Sequence, residues 1–387
     1  MLRIEDTDRV RSKKEFEDEI LTSMRWLGLD WDELYHQSDR FEIYKEYAQR
    51  LVKEDKAYND GDAVILKIVQ GEIKIYDLIR DEITFDSSTI KDQVLMKSDG
   101  SPTYSFACVV DDSLMEISHV IRGEDHISNT PKQILIYEAL GLKPPKYAHL
   151  PLIMGEEGRL SKRTGAVAVS DYKKEGYLAE ALVNYLMLLG WSPGANQEVV
   201  DLRAALKNFS IKKINKAAAV FSMEKLKWVN SQYIKKFDDE KLTDMLIPFL
   251  EAEGHISGDF DRNHLKSIVK LFKGRMGTLK DFLEWTDFVF ADQLNYDPKA
   301  KSEHLSADRS KEFSLLAERF GRLNPFRAKE IEEAFRQTVD ELGLKASDLV
   351  HPVRVALTGR AVGPGLFETV EILGKEKTLE RLKGAFN

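Results

Sequence analysis

The spacing of apolar residues predicts a strand followed by two helices in the first part of the chain. A capping box over Ser12 and Glu15 precedes apolar residues at every third or fourth position until Gly28, which is typical of an amphipathic helix. A second helix is predicted over residues 40–56, and residues 1–4 have the composition of a strand.

Short apolar runs then predict a β-rich segment over residues 58–103. Residues 63–69 and 94–97 have the composition of strands, and the Asp-Gly pairs at 60–61 and 99–100 mark turns. Because strands and helices alternate again after this segment, we interpret it as an insertion.

The renewed alternation predicts a parallel sheet. Residues 106–110, 115–122 and 149–154 are apolar enough for buried strands, and the Thr-Pro pair at 130–131 has the pattern of a capped helix start. Parallel strands joined by helices bring their carboxyl ends to one edge of the sheet, where such folds bind ligands.

After residue 165 the pattern becomes almost entirely helical. Leucines at 178, 182, 186 and 189 share one helical face, and apolar residues at 331, 335 and 342 share another. The predicted fold class is therefore α/β followed by all-α.

The composition is that of a folded protein with several domains. The chain has 387 residues, of which 43% are hydrophobic and 32% are charged, and this excludes disorder as the main state. The single cysteine, Cys108, allows neither an internal disulfide nor a thiolate zinc cluster, which favours a cytoplasmic protein without structural zinc. No apolar run approaches the roughly 20 residues of a membrane-spanning helix.

The charge distribution leaves two interpretations of one basic stretch. Basic and acidic residues number 57 and 65, and the net charge of -8 argues against indiscriminate coating of nucleic acid. Between residues 207 and 236, however, lysines alternate with aromatic residues. This stretch is either a local RNA-binding surface or a solvated helix face with aromatic core residues between the lysines.

Charged residues at two predicted strand ends could bind a ligand. Glu5, Asp6 and Asp8 could hold an ammonium group or a metal ion, although acidic residues before a helix also stabilise its N-terminus. Arg122 could bind a carboxylate or phosphate bidentately, or pair with a nearby acid.

A glycine-bounded basic loop over residues 155–165 has the composition of a phosphate-binding element. Lys162 and Arg163 could stabilise charge that develops on a phosphoryl group, and the glycines would let the loop close. The loop is neither a Walker A motif nor a dinucleotide fingerprint, and a basic surface loop is the alternative.

The order of these motifs resembles bacterial glutamyl-tRNA synthetases along essentially the whole chain. The resemblance is carried by RIEDTD at 3–8, PTY at 102–104, VVDD at 109–112, VIRGEDH at 120–126, LSKR at 160–163, residues 40–58, WVNSQYI at 228–234, RVALTG at 354–359 and PGLF at 364–367. Such a collinear series is far more specific than any one of its members.

The resemblance implies roles for individual residues. Glu5 would bind the α-ammonium of glutamate, Tyr104 and Cys108 would line the amino-acid pocket, and Arg122 would bind a substrate carboxylate. Cys108 stands where many relatives carry asparagine, and a thiol is a weaker hydrogen-bonding partner.

Further implied residues concern ATP and tRNA. Asp125, His126 and Ser161 would lie at the ATP, and Lys162 and Arg163 would act on its phosphates during catalysis. Arg275 is a candidate for an anticodon contact because it lies between helical segments, in GRMG at 274–277, with a solvated arginine as the alternative. No metal ligands are implied.

The resemblance also implies the architecture. An incomplete class I Rossmann-like sheet would comprise residues 1–57 and 104–155, interrupted by a shortened acceptor-binding insertion at 58–103. A stem-contact domain at 156–238 would precede two helical anticodon-binding domains, at 239–300 and 301–387.

The family's first strand, and the helix with its histidine signature for the ATP phosphates, would precede residue 1. The chain by itself is therefore expected to be nearly inactive, because ATP would be poorly oriented. Three interpretations stay open: a glutamate–tRNA ligase, an inactive truncated synthetase and a non-catalytic tRNA-binding paralogue.

The implied partners are glutamate, ATP with Mg²⁺ as a substrate complex, and tRNA(Glu), with tRNA(Gln) as an open alternative. The chain is expected to be a monomer without a membrane association.

Overall fold

The computed structural model of the protein describes residues 1–8, 10–155, 158–159, 168–194, 197–306 and 308–385. These residues form two compact units, one within residues 1–174 and 179–226 and the other within 175–178 and 227–387. No helix of the described ranges is both long enough and apolar enough to cross a membrane.

The first unit contains strands and helices in alternation. Its described strands are β1 Leu2–Ile4, β2 Leu34–His36, β3 Ala57–Asp60, β4 Ala63–Leu66, β5 Glu72–Asp77, β6 Asp81–Asp86, β7 Gln93–Met96, β8 His119–Gly123, β9 Lys146–Leu150, β10 Ile153–Gly155, β11 Gly158–Arg159 and β12 Ala219–Val220. Its described helices are α1 Lys14–Trp26, α2 Phe41–Lys53, α3 Tyr104–Leu114, α4 Thr130–Leu140, α5 Val169–Lys174, α6 Ala179–Gly190 and α7 Leu202–Asn208.

Parallel pairing relates the strands that carry the predicted site residues. β1 pairs in parallel with β2, and β8 pairs in parallel with β9 so that Arg122 lies opposite His149. The β5–β6 hairpin joins the same sheet, because Asp77 at the end of β5 pairs in parallel with Tyr147 of β9. β3, β4 and β7 form a separate antiparallel sheet.

A buried core lies between α2, α3, α4 and the antiparallel sheet. Its largest side chains include Tyr44, Leu51, Leu66, Phe106 and Tyr137, each almost fully removed from solvent. Burying one such side chain stabilises a protein by about 1.5–3 kcal/mol, so this cluster is a main source of the first unit's stability.

The strand predicted over residues 106–110 is wrong, because these residues belong to helix α3. Phe106 through Asp111 are all buried in this helix. A short helix that is covered on all sides has the same uninterrupted apolar run as a buried strand, and periodicity cannot tell the two apart.

Two predicted element boundaries are also wrong. Helix α1 begins after Lys13 without a side-chain cap, so the capping box of Ser12 and Glu15 does not form. The single strand predicted over 149–154 is divided between β9 and β10, which lie in different sheets and are separated at Pro151. Proline has no N–H group to donate to a ladder, which explains the break.

One buried carboxylate connects α3 to the segment before it. Asp111 is fully buried and accepts hydrogen bonds from Gln37 Nε2 at 3.1 Å, Arg40 Nε at 2.8 Å and Tyr44 Oη at 2.7 Å. The charge of Arg40 and two neutral donors therefore compensate the removal of this carboxylate from water.

The second unit is helical in its described part. Helix α8, Met223–Lys236, has residues in both units, and the helices after it are α9 Asp239–Ala252, α10 Arg262–Phe272, α11 Leu279–Phe290, α12 Pro298–His304, α13 Ser310–Arg322, α14 Ala328–Glu341, α15 Ala346–Thr358, α16 Leu366–Leu373 and α17 Lys375–Gly384. Within this unit, Gly176 packs against the start of α11, since a Cβ atom there would lie 2.8 Å from the backbone nitrogen of Leu279.

We predict that Asp111→Ala lowers the free energy of unfolding by about 3–5 kcal/mol, because the Arg40 guanidinium would lose its buried partner. Urea unfolding of the whole chain measures this change. Glu46→Ala, on the exposed face of α2, is the control and should change the free energy by less than about 0.5 kcal/mol. An Asp111→Ala variant as stable as this control would contradict the assignment.

Candidate active site

Residues of β1, β8 and α3 line one cleft of the first unit, with a volume of about 340 Å³. Glu5, Tyr104, Cys108 and Arg122 all lie on its wall. Tyr104, Cys108 and Asp112 are spaced by four residues and therefore share one face of α3. The structure thus brings together the four residues predicted to bind glutamate, and their binding roles stay predictions.

One wall of the cleft is acidic and is organised by Arg3. Arg3 Nη1 donates to Asp112 Oδ1 at 2.8 Å, and Arg3 Nη2 donates to Glu5 Oε1 at 3.0 Å. Burial raises the pKa of Asp112, although the charge of Arg3 opposes this shift. Glu5 is therefore held in place by a neighbouring cation of its own strand segment, and its side chain is still 37% exposed.

The thiol of Cys108 lies against this acidic wall. Cys108 Sγ donates to Glu5 Oε1 at 3.4 Å, and the residue is only 4% exposed. Burial raises the pKa of the thiol well above its ordinary value, and the nearby charge of Glu5 raises it further. Cys108 is therefore a protonated donor and not a nucleophile.

Arg122 contributes a positive charge to the lining of the same cleft. Arg122 Nε donates to His149 Nε2 at 3.2 Å, and Arg122 Nη2 donates to Thr130 Oγ1 at 2.8 Å. The guanidinium also lies over the ring of Tyr147, 5.5 Å from its centroid. The pattern at 130–131 predicts Thr130 as the cap of helix α4, but its hydroxyl contacts Arg122, and the N-cap position belongs to Asn129.

Tyr104 lies close to both walls. Burial raises the pKa of Tyr104 to about 12, with further contributions from Cys108 and Glu5, while Arg122 opposes the shift. Its phenol therefore stays protonated at neutral pH and can donate a hydrogen bond into the cleft.

Sequence reasoning missed the residues behind Arg122. His149 is fully buried, and its Nδ1 lies 2.6 Å from Asp77 Oδ2. Asp77 belongs to the β-rich segment and to none of the motifs quoted for the family resemblance, so no local pattern marked it. The signal available in the sequence was His149, a polar residue within a strand that was predicted to be buried.

The predicted ATP residues follow β8 directly. Asp125 and His126 lie in a short 3-10 helix, and the His126 ring lies 6.1 Å from the ring of Tyr104. A Cβ atom at Gly123 would lie 2.4 Å from Asp125 Oδ1, so a larger residue there would displace the Asp125 side chain. Glu124, between Gly123 and Asp125, forms an ion pair with Arg80 at 2.5 Å. This ion pair connects the turn to the β5–β6 hairpin.

The first part of the predicted phosphate-binding loop contains β11, which pairs antiparallel with β10. Ser161, Lys162 and Arg163 lie outside the described residues. Within the described ranges, no three histidine, cysteine, aspartate or glutamate side chains are grouped as a metal site would require.

Arg275 belongs to the second unit and contacts its own unit. Arg275 Nη2 donates to the carbonyl of Gly363 at 2.7 Å, and its guanidinium lies 5.9 Å from the centroid of the Trp285 ring. Burial lowers the pKa of Arg354, and the positive charge of Arg275 lowers it further. Arg354 Nη1 is buried and has no hydrogen-bond partner within the described residues.

The lysine-rich stretch has a mixed character. In the first unit, Lys216 pairs with Asp81 and Lys225 pairs with Glu198. Phe221 is buried, whereas Phe209 is 53% exposed. Some aromatic residues of this stretch are therefore core residues and others face solvent, and RNA binding by the stretch stays a prediction.

Comparison with known protein families decides the membership of this chain. The model of the catalytic domain of class I tRNA synthetases for glutamate and glutamine matches residues 1–64 and 61–228, and the model of an anticodon-binding domain matches residues 241–386. The chain belongs to the class I tRNA synthetases of this type.

Individual relatives agree with this membership. The glutamate–tRNA ligase of Thermodesulfovibrio yellowstonii is 42% identical, and the alignment covers 99% of this chain and 91% of that protein. Glutamate–tRNA ligase 1 of Caldanaerobacter subterraneus subsp. tengcongensis is 38% identical, with 100% and 90% of the two chains covered.

A solved structure is similar over the whole chain. The crystal structure of a glutamate tRNA ligase from Elizabethkingia meningosepticum, in complex with its amino acid, has a TM-score of 0.90 and 30% identity, and the match covers 100% of this chain and 92% of that one. The predicted family and fold class are confirmed: a Rossmann-like parallel sheet is followed by a helical anticodon-binding region. The finer domain boundaries stay predictions.

We predict that Cys108 reacts with a thiol reagent at pH 8 on the order of 100-fold more slowly in the native synthetase than in the unfolded chain, because only the thiolate reacts. A colorimetric disulfide reagent measures the rate without interference, since the chain has one cysteine. Glu5→Gln should speed the native reaction by removing a charge that raises the thiol pKa, whereas Glu15→Gln in α1 should not. Equal native rates in the two variants would contradict the effect of the Glu5 charge on the pKa of the Cys108 thiol.

Proposed function

We propose that this synthetase attaches glutamate to tRNA in two steps at the expense of ATP. The observation that supports this most strongly is the arrangement of opposite charges in one cleft, with Glu5 on one wall and Arg122 on another. Glutamate carries an ammonium group and a side-chain carboxylate, which are complementary to these two residues.

Each wall then has a chemical task toward glutamate. Arg3 occupies one oxygen of Glu5, and the exposed remainder of the Glu5 carboxylate accepts from the α-ammonium of the substrate. Arg122 donates to the side-chain carboxylate of the substrate, and Tyr104 and Cys108 contribute neutral donors between them. Glutamine and aspartate fit this set less well, because the first lacks the charge and the second lacks the length.

The first chemical step forms glutamyl-adenylate. An oxygen of the glutamate α-carboxylate bonds to the α-phosphorus of ATP, and pyrophosphate leaves. Asp125 and His126 lie beside the adenosine, and Ser161, Lys162 and Arg163 stabilise the phosphate charge of the Mg²⁺ complex during the transfer.

The second step transfers the amino acid. The terminal ribose hydroxyl of tRNA bonds to the acyl carbon of the adenylate, and AMP leaves. Neither step needs a protein nucleophile, so orientation and charge stabilisation supply the rate enhancement. A mechanism without a protein nucleophile is consistent with the raised pKa of Cys108, because a protonated thiol is a poor nucleophile.

The tRNA partner is bound by residues of both predicted RNA-binding regions. Lysines between 207 and 236 contact the stem, and Arg275 contacts the anticodon arm. We propose tRNA(Glu) as the substrate of a monomeric cytoplasmic enzyme, and charging of purified tRNA(Gln) in the same assay would extend the substrate range.

Transfer of radioactive glutamate to purified tRNA(Glu) tests the function. The assay uses the 387-residue chain and the same chain preceded by the first strand and helix of a family relative, with glutamine, aspartate and omitted ATP as controls. We expect ATP-dependent transfer of glutamate only, at a much higher rate in the extended chain than in the 387-residue chain. Binding of tRNA without transfer by either protein would instead favour a non-catalytic tRNA-binding paralogue.

We predict that Lys162→Ala, in the chain preceded by the first strand and helix of a family relative, lowers the single-turnover rate of glutamyl-tRNA formation by about 100-fold to 1000-fold, because a charge-stabilising donor is lost from the transition state. The affinity for tRNA should change little. Lys173→Ala, on an exposed position of α5, is the matched control and should keep the rate. An unchanged rate in Lys162→Ala would reduce the basic loop to a surface feature.

We predict that Arg275→Ala weakens tRNA binding by about tenfold, the effect of losing one charged contact to RNA. Binding is measured at one fixed salt concentration. The melting temperature should not fall appreciably, because the variant also removes a positive charge near Arg354. Lys299→Ala in α12 is the control for a solvated cation, and equal affinities of the two variants would contradict a role for Arg275.

A further inference from the structure

A continuous line of hydrogen bonds extends from Arg122 into the interior of the first unit. Arg122 Nε donates to His149 Nε2 at 3.2 Å, and the other ring nitrogen of His149 lies 2.6 Å from Asp77 Oδ2. The side chains of His149 and Asp77 are 1% and 0% exposed. Water therefore cannot replace either partner, and the direction of each hydrogen bond is determined by chemistry.

Asp77 is restricted to accepting hydrogen bonds. Its Oδ1 accepts from the backbone N–H groups of Ile79 at 2.9 Å and Arg80 at 2.8 Å, and its Oδ2 accepts from the backbone N–H of His149 at 3.1 Å. Burial favours the neutral acid, but these donors and the His149 ring outweigh it and lower the pKa of Asp77. An ionised carboxylate has no proton to donate.

The tautomer of His149 follows from this restriction. Because Asp77 only accepts, His149 must carry its proton on Nδ1. Burial lowers the pKa of His149 despite the charge of Asp77, so the ring is neutral and Nε2 has a free lone pair. That lone pair is aimed at a guanidinium, which itself can only donate.

Thr130 completes the restraint on Arg122. Its Oγ1 accepts from Arg122 Nη2 at 2.8 Å and lies 3.1 Å from His149 Nε2. Two of the three guanidinium nitrogens of Arg122, Nε and Nη2, therefore donate to neighbouring side chains. These two hydrogen bonds determine the plane of the guanidinium group. Bidentate recognition of a carboxylate requires such a determined plane.

We propose that Asp77 is a positioning residue for substrate binding: it holds His149 in the Nδ1–H tautomer, and His149 in turn orients the Arg122 guanidinium toward the cleft. The proposal deepens the proposed function and rests on it, since it assigns the oriented guanidinium to the side-chain carboxylate of glutamate. It also gives the β5–β6 hairpin a part in amino-acid recognition, although the hairpin does not line the cleft.

Asp77→Asn tests the proposal with a change of one atom. The amide oxygen can still accept from Ile79 and Arg80, which places the NH₂ group toward the His149 ring. An NH₂ donor favours the Nε2–H tautomer, and the new N–H would face Arg122 Nε–H. Two donors would then oppose each other, and the guanidinium would turn.

Nitrogen-15 NMR of the histidine side chains is the first measurement, because it reports the tautomer without any catalysis. We expect the wild type to show the Nδ1–H form at His149 and Asp77→Asn to show the Nε2–H form, with faster solvent exchange of the Arg122 Nε proton. Asp81→Asn, at an exposed carboxylate of the same hairpin, is the matched control and should keep the wild-type signals.

Steady-state aminoacylation by the chain that is preceded by the first strand and helix of a family relative is the second measurement. We expect Asp77→Asn to raise the KM for glutamate about tenfold to a hundredfold, as for the loss of a charged hydrogen bond, while kcat changes little. A merely structural role would lower the amount of folded enzyme and would leave KM unchanged.

A second pair of variants keeps the proposal testable if Asp77→Asn folds poorly. Gln at position 149 offers an amide oxygen near the position of Nε2, whereas Leu of similar size offers no acceptor. His149→Gln should therefore keep a glutamate KM within about threefold of the wild type, and His149→Leu should show the tenfold or larger increase.

The outcomes separate this proposal from the proposed function. A folded Asp77→Asn variant that keeps the Nδ1–H tautomer, or equal KM values for His149→Gln and His149→Leu, would overturn the positioning role. A tautomer change together with faster exchange at Arg122, in an extended chain that charges no tRNA with glutamate, would support the positioning role and overturn the proposed substrate.

Discussion

The candidate site depends on the register with which β8 pairs to β9. This register places Arg122 opposite His149 and continues to β5, where Asp77 pairs with Tyr147. Successive side chains of a strand point to opposite faces of the sheet, so a slip of one residue would turn Arg122 away from His149. The Tyr147 and His149 rings are nearly parallel, with centroids 6.0 Å apart, and Arg122 lies against both. One pairing therefore aligns a carboxylate, an imidazole and a guanidinium.

Helix α3 supplies the other half of the cleft, and two adjacent carboxylates determine its orientation. Asp111 turns inward to Arg40 and Tyr44, whereas Asp112 turns toward Arg3 of β1. Neighbouring residues of a helix are about 100° apart around its axis, so the two ion pairs restrain rotation in both senses. This restraint keeps the face with Tyr104 and Cys108 toward the cleft.

The balance of charge in the cleft explains its use of neutral donors. Arg3 compensates Glu5 and Asp112, and the phenol of Tyr104 and the thiol of Cys108 both have raised pKa values in this acidic, buried setting. Protonated tyrosine and cysteine can donate to a substrate without adding charge. Glu5 and Arg122 are charged residues of opposite sign on the same cleft, and the proposed binding of glutamate rests on this difference.

Part of this arrangement was predictable from local patterns. Helical spacing located α1 and α2 within a few residues, and the ordered motifs of the family resemblance predicted one glutamate-binding set, whose four members do line the same cleft. The strand predicted over residues 106–110 was wrong, because a helix buried on every side loses its periodicity.

The sequence by itself determined the family, the succession of an α/β region and a helical region, and the chemical types at the ends of the strands. These properties depend on neighbouring residues or on the order of motifs, and both are visible along one chain. Only the tertiary structure decided that Thr130 contacts Arg122 instead of capping its helix, and that Asp77 lies behind His149. The physical reason is that Asp77 and His149 are 72 positions apart, and their contact follows from the pairing of β5 with β9, which no local pattern specifies.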